Sequence, residues 1–346
     1  MMKSQQTQGL TATIDWLEFT ILDIEPEKAL TEVLQLPVAE FSLLDKGRFG
    51  YQKQSKWSEG NVFVMYNEPE SDVIKQSQSD RMGVHVMISG TGCRQYEVRH
   101  PLKKLLLFLT ILDERVNFSR IDLAIDDQLD QTISFERIHS AAIARRFTSR
   151  WSKWDELNSR QSASGEFLGR TMYFGSQSSD IFCRIYDKAL ERKANDETPA
   201  DLPERWTRLE IIYKKERAKQ LVYHMVDRHV PVGTAVRGTL NQYIRFLQLP
   251  PNNDQNKSRW PTAPWWEQLL DGVSKLQLTI EKEKRSIDDM EEWVEQQIAP
   301  TIAAILTARE GNMEWLHEII GKGAQRLSQR HKDAIAQYLK REETKQ

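Results

Sequence analysis

RIDLAIDD, Arg120 to Asp127, is the stretch whose reading decides the fold. Ile121, Leu123 and Ile125 alternate with Arg120, Asp122, Ala124 and Asp126, which is the period of a half-buried β-strand. One face is good core; the other carries an arginine and two carboxylates. Two later stretches share this character. In IFCRIYDK (Ile181–Lys188) alternation puts Arg184, Tyr186 and Lys188 together, opposite Cys183 and Ile185. In WTRLEIIY (Trp206–Tyr213) it puts Arg208 with Glu210, opposite Leu209 and Ile211. If the three strands share a sheet, one face gathers all of these charges around one phenol.

Working outward, IDWLEFTI (Ile14–Ile21), Phe49–Lys56, Asn61–Asn67 and GVHVMISG (Gly83–Gly90) read as earlier strands, the last closed by a Gly90-Thr91-Gly92 turn. Pro101 opens a helix with Leu102, Leu105, Leu106 and Leu109 on one side, and Ser134 caps another. Ser152–Phe167 reads as an exposed loop, Thr171–Ser176 as a strand, and the segment from about Lys215 to His229 as a helix. The Pro, Asn and Asp content of 250–264 marks a linker, and apolar residues at helical spacing follow. The expected organisation is a disordered tail (1–11), an α+β body (12–249) of mostly antiparallel sheet flanked by helices, the linker (250–264), and an all-helical C-terminal region (265–346).

The chain has 346 residues and a formal net charge of -2, so overall charge does not announce a nucleic-acid binder; a local basic surface is enough for one. Two cysteines rule out a Cys-rich zinc site and make a disulfide framework unexpected. The longest apolar run, Leu105–Leu112, is too short to span a bilayer. These features lead us to expect a cytoplasmic protein without a membrane partner.

The mixed polar face suits phosphate chemistry. Neighbouring carboxylates bind Mg²⁺ or Mn²⁺, hard ions that prefer oxygen. Cations can hold phosphate oxygens and favour a phenolate nucleophile. The alternative is equally physical: the open face of an antiparallel sheet commonly carries cross-strand ion pairs with no chemistry at all. Pattern alone leaves both open.

RIDLAIDD, then GRTMYFGSQSSDIFCRIYDKALE, then WTRLEIIYKKERA, in that order and spacing, resemble the rolling-circle replication initiators of small plasmids and filamentous phages, the Rep_trans type. The resemblance runs from about residue 12 to residue 248. It implies a Rep nickase-like fold and a site-specific DNA nicking and joining enzyme, whose tyrosine becomes linked to a 5′ phosphate and leaves a 3′ hydroxyl primer. Carried over by position, Tyr186 would be the nucleophile, with Arg184, Lys188 and Arg208 on the scissile phosphate. Asp122 and Glu210 would hold Mg²⁺ or Mn²⁺, with Asp126 a third ligand. Arg120, Ser176, Ser179, Lys214 and Lys215 are candidate DNA contacts. The implied partners are origin DNA, single-stranded at the nick, and a host helicase and DNA polymerase; a homodimer would suit two successive transfers. A non-catalytic origin-binding protein and a hydrolytic metal-dependent nuclease are the competing readings.

Several residues stand outside that set. Tyr173 is a rival nucleophile whose bland role is packing. His85 stands alone, without the His-hydrophobic-His pair of the HUH relaxases, and a single strand histidine is more often structural than a ligand. Trp151 and Trp154 are candidates for stacking on extruded bases. In the tail, Lys322, Arg326, Arg330 and Lys332 form a basic end where phosphate contacts would be sought.

Overall fold

A computed structural model describes residues 10–68, 82–194, 203–250, 254–276 and 299–325, with a few further positions elsewhere. Its strands are β1 (Leu10–Ile21), β2 (Phe41–Leu44), β3 (Lys53–Trp57), β4 (Val62–Tyr66), β5 (Val84–Ile88), β6 (Val116–Asp127), β7 (Phe147–Ser149), β8 (Trp154–Arg160), β9 (Phe167–Phe174), β10 (Ile181–Asp187), β11 (Thr207–Lys214) and β12 (Ile244–Phe246). Ten of them form one antiparallel sheet in the order β2-β3-β4-β5-β1-β6-β11-β10-β9-β8, and β12 pairs with β7 separately. RIDLAIDD is thus the second half of a central strand. The α+β class expected from sequence is what the chain adopts.

Register explains the core. Ile14, Leu123, Ile211, Cys183 and Phe174 line up across five strands, and Ile125, Leu209, Ile185 and Met172 form the next row. All are buried in one apolar cluster. The helices Glu216–Asp227 and Val232–Tyr243 lie on β6, and Leu102–Ile111 packs on Glu216–Asp227. Leu105, Leu109, Leu221, Val222, Val236 and Leu240 supply their apolar stripes. Burying one such side chain stabilises by about 1.5–3 kcal/mol, so this layer fixes the sheet's opposite face in place.

Four local expectations change. The strand read at Ile14 begins at Leu10, so residues 10 and 11 of the expected tail are ordered in β1, while 1–9 lie outside the described residues. Gly90–Arg99 is a helix, not only a turn. The expected loop after Ser152 contains β8, an edge strand whose residues from Asp155 onward are exposed and show no apolar alternation. The expected linker is pinned to the body where it is described. Gln248 N–H donates to Pro261 O and Ala263 N–H to Phe246 O. Phe246 then packs on Trp265 and Trp266, with ring centroids 5.2 and 4.8 Å away.

The boundary at 265 therefore does not divide compact units. The first unit runs to Ile280 and the second covers Glu281–Gln346. The second unit contains helices Ala299–Ala308 and Glu314–Ala324, as the apolar spacing of Trp315, Leu316, Ile319 and Ile320 leads one to expect. Lys322 there pairs with Glu318. Trp293, Ile298, Arg326 and Arg330 lie outside the described residues. No helix among the described residues is long and apolar enough to cross a membrane.

Candidate active site

The three charged strands are neighbours, β6 beside β11 beside β10. Asp126 is opposite Arg208, which is opposite Tyr186. One step along, Ala124 is opposite Glu210, which is opposite Arg184. Directly paired residues share a face, so the grouping expected from alternation forms. The face is not the solvated one of the bland reading: Asp122, Asp126, Arg208, Tyr186 and Glu210 are all buried. Ala124 matters by its smallness, since it leaves Glu210 room between Asp122 and Asp126.

Charge is compensated pair by pair, as burial demands. Arg208 grips Asp126 through two bonds, Nε to Oδ1 at 2.6 Å and Nη2 to Oδ2 at 2.7 Å. Trp206 Nε1 donates to the same Oδ1 at 2.6 Å. Arg120 spans both oxygens of Asp122 at 2.8 and 2.6 Å, while its guanidinium lies 4.6 Å over the Trp16 ring. Arg184 Nε donates to Glu210 Oε2 at 2.9 Å. The Tyr186 hydroxyl donates to the other oxygen, Glu210 Oε1, at 2.6 Å.

Titration follows from these surroundings. Burial pushes the Tyr186 phenol well above its ordinary value, the Glu210 charge adds to the rise, and Arg208 and Arg184 only partly oppose it. Neighbouring cations therefore do not make a standing phenolate, contrary to the simplest expectation; the phenol keeps its proton and donates it in a hydrogen bond to Glu210. Burial also raises the Asp122 carboxyl to about 7, outweighing the pull of Arg120, with the Glu210 charge in the same direction. Lys188 is lowered by burial and partly restored by Glu191, with which it pairs. Lys188 is not a strand residue: β10 ends at Asp187, whose carboxylate caps the helix Lys188–Ala194 by accepting from Leu190 N–H at 3.0 Å.

Sequence reasoning missed Asp15. Its carboxylate accepts from Arg208 Nη1 at 2.7 Å and from Arg94 Nη1 at 2.9 Å. Strict alternation would send Asp15 into the core with Leu17. Ile14 faces Leu123 and Leu17 faces Ile121, so β1 carries one extra residue between them. That bulge turns Asp15 and Trp16 toward the polar face. The half-buried, helix-borne Arg94 gave no signal in the sequence.

The remaining candidates separate. Ser176, Ser179, Lys214 and Lys215 gather at the opposite end of the β10–β11 hairpin from Tyr186, about 17 Å along the strand at 3.4 Å per residue. The serines belong to turn geometry, with Ser179 N–H on Ser176 O and Ser176 Oγ 2.8 Å from Ser178 Oγ. Gly175 begins that turn at φ +94°, where a Cβ would also meet Trp151 Cδ1 at 2.7 Å. Lys214 faces Arg120 across the ladder, and Lys215 lies 3.5 Å from Asp180. Tyr173 shares the polar face beside Arg184 but has no carboxylate on its hydroxyl among the described residues. Trp151 stacks on Tyr243 and Trp154 on Phe174, so both pack. His85 sits on β5, two strands from Asp122, with Nδ1 2.9 Å from Thr20 Oγ1.

Among the described residues no group of three or more His, Cys, Asp or Glu side chains is arranged to hold an ion. Asp122 and Glu210, the two carboxylates expected to hold one, have both oxygens engaged, by Arg120 and by Arg184 and Tyr186, so an ion would have to displace those donors. The Glu210 charge acts on Asp122, and a Mg²⁺-type site commonly uses one or two protein carboxylates, leaving the other positions to water and substrate phosphates. Asp126, expected as a third ligand, has both oxygens taken by Arg208 and Trp206. Beside Tyr186 opens a cavity of about 310 Å³, lined by Ser159, Arg170, Thr171, Arg184 and Glu191 among others.

The strands thus assemble a buried phenol hydrogen-bonded to a carboxylate, flanked by arginines and bordering a cavity. The family model described as replication initiation factor matches residues 116–320, and that described as rolling circle replication initiation protein N-terminal domain matches residues 11–107. This chain belongs to the replication initiation factor family. The putative DNA relaxase NicK of Bacillus subtilis (strain 168) is 25% identical over 335 residues, covering 95% of this chain and 90% of that protein. A replication initiation protein of Staphylococcus aureus is 26% identical over 279 residues, covering 80% and 76%. The structure of a rolling circle replication initiator protein from Geobacillus stearothermophilus superposes with a TM-score of 0.65 at 29% identity, covering 78% of this chain and 99% of that one. The family resemblance read from RIDLAIDD and IFCRIYDK is borne out, and with it a DNA-nicking role in starting rolling-circle replication.

Proposed function

We propose that this protein nicks DNA by transesterification through Tyr186. The 2.6 Å hydrogen bond from the Tyr186 hydroxyl to Glu210 carries the reading, because it joins a nucleophile to a base at the edge of the cavity. The Tyr186 oxygen attacks the scissile phosphorus and passes its proton to Glu210 Oε1. A P–Oη bond forms as the P–O3′ bond breaks, leaving the 5′ phosphate on the tyrosine. Lys188, whose ammonium is made more acidic by burial, is suited to protonate the departing 3′ oxygen. Arg184 lines the same cavity and can stabilise the phosphate's developing charge. Arg208 is held by Asp126 and Asp15 and gives the buried site its fixed positive charge. The reverse attack, by a 3′ hydroxyl on the phosphotyrosine, reseals a strand.

Asp122 and Glu210 would hold Mg²⁺ or Mn²⁺, and such an ion supplies withdrawal of charge from the phosphate. In this reading Asp126 is the partner that orients Arg208. Arg120, Lys214 and Lys215 line the approach on which origin DNA would lie. A host helicase and polymerase would act on the 3′ hydroxyl end, and the cytoplasm is where both would be met.

The test is a 3′-labelled random-sequence pool of single-stranded DNA incubated with protein and Mn²⁺, resolved on a denaturing gel. A labelled covalent adduct is expected, absent with chelator and absent in Tyr186→Phe. Cleavage without adduct would instead mark a hydrolytic nuclease, and binding without cleavage a non-catalytic DNA-binding protein.

A further inference from the structure

The face that carries Tyr186 continues across six more strands. Register runs a single row from Lys214 through Arg120, Glu18, Met87 and Phe63 to Lys56. Paired residues share a face, so Phe63 and Lys56 lie on the same side of the sheet as the active site. Phe63 is half-buried beneath two cations, Arg48 Cζ at 5.4 Å and Lys56 Nζ at 5.8 Å from its ring centroid. Neither cation has an acidic partner among the described residues. Beside them Phe49 is 62% exposed, held outward by a left-handed backbone (φ 55°) that runs directly into Gly50 at φ 85°. Its ring meets His85 edge-on at 5.5 Å, and Tyr51 stacks on the same imidazole at 6.0 Å. His85 Nε2 is buried with no hydrogen-bond partner.

An exposed ring and a half-buried one, interleaved with cations, suit single-stranded nucleic acid, since every base has a face to stack and every nucleotide a phosphate to pair. An enclosed protein partner would find here uncompensated positive charge; a polyanion finds complement. We propose that Arg48, Phe49, Lys56 and Phe63 form a second single-stranded DNA subsite, holding the strand beyond the nick while Tyr186 works on it. Phe63 lies five strand spacings across the sheet from the strand of Tyr186, about 24 Å, and its row is offset six residues along the strands, about 20 Å, so a bound strand covers about 30 Å, or about nine stacked nucleotides. The proposal rests on the DNA-nicking role but not on which residue is the nucleophile.

The experiment is fluorescence anisotropy with labelled oligothymidylates of 8 and 25 nucleotides, using the full chain. Wild type should bind the 25-mer more tightly than the 8-mer beyond the statistical gain of length. Phe63→Leu, which keeps bulk but removes the ring, should weaken the 25-mer about fivefold or more and leave the 8-mer unchanged. Lys56→Ala should lower the salt slope for the 25-mer by about 0.7. Unchanged 25-mer binding in Phe63→Leu overturns the proposal, as does equal weakening of both lengths or of duplex DNA. Thermal melting of each variant, with Phe63→Trp expected to restore binding, separates these outcomes from misfolding. Loss of the covalent adduct in Tyr186→Phe with 25-mer binding intact would bear on the catalytic reading alone.

Discussion

The Tyr186 hydroxyl and Glu210 Oε1 are 2.6 Å apart, and the carboxylate has no exposure to solvent of its own. Its Oε1 serves that one phenol, while Oε2 is held by Arg184. Replacing Glu210 with Gln keeps an oxygen for the hydrogen bond but removes the proton acceptor. Single-turnover adduct formation should slow about 10²–10⁴-fold, the usual contribution of a positioned base. A rate within threefold of wild type would show that the proton leaves by another route.

Asp126 is predicted to matter through Arg208. Asp126→Asn breaks a buried bidentate pair and leaves a cation with Asp15 as its main anion. Removing one partner of a buried pair costs about 3–5 kcal/mol, and the surviving Asp15 contact places this case at the lower end. Urea denaturation measures it. A loss under about 1 kcal/mol would mean that Asp126 does not hold Arg208 as the hydrogen bonds imply.

Asp122 gives a pH signature in protein kept free of divalent ions by chelator. Its folded carboxyl holds a proton up to about 7, whereas an unfolded aspartate releases it near 4. Between those values the folded state binds more protons, so stability falls as pH rises through the window. Asp122→Asn removes that slope and should gain on wild type between pH 5 and pH 8, by an amount on the order of 3 kcal/mol. Parallel pH–stability curves for the two proteins would contradict it.

Much of this site was legible because β-strands keep strict time. The apolar beat of Ile121, Leu123 and Ile125 announced a strand, and the same period in β10 and β11 placed Tyr186, Arg184, Arg208 and Glu210 on one face. What the period cannot carry is a break in it. Asp15 was hidden by the extra residue of β1, and Lys188 by the switch from strand to helix after Asp187. β8 was hidden because an edge strand with both faces wet needs no apolar alternation. The pairing partners were illegible for another reason: which arginine meets which carboxylate depends on register, and register is a long-range property.

Asp15 supplies a test of that missed contribution. Asp15→Ala frees Arg94 and removes one anchor of Arg208 while leaving Tyr186, Glu210 and Asp122 untouched. Adduct formation is expected to fall at least tenfold with DNA affinity nearly unchanged, as for a residue that positions another. Unaltered kinetics would make the bulge a feature of folding only.

The most direct measurement is mass spectrometry of the proteolysed covalent adduct, locating the nucleotide on the peptide. The account predicts a phosphodiester on Tyr186, in the peptide that contains IFCRIYDK, and its disappearance in Tyr186→Phe. A nucleotide found on Tyr173, or on no tyrosine at all, would contradict it.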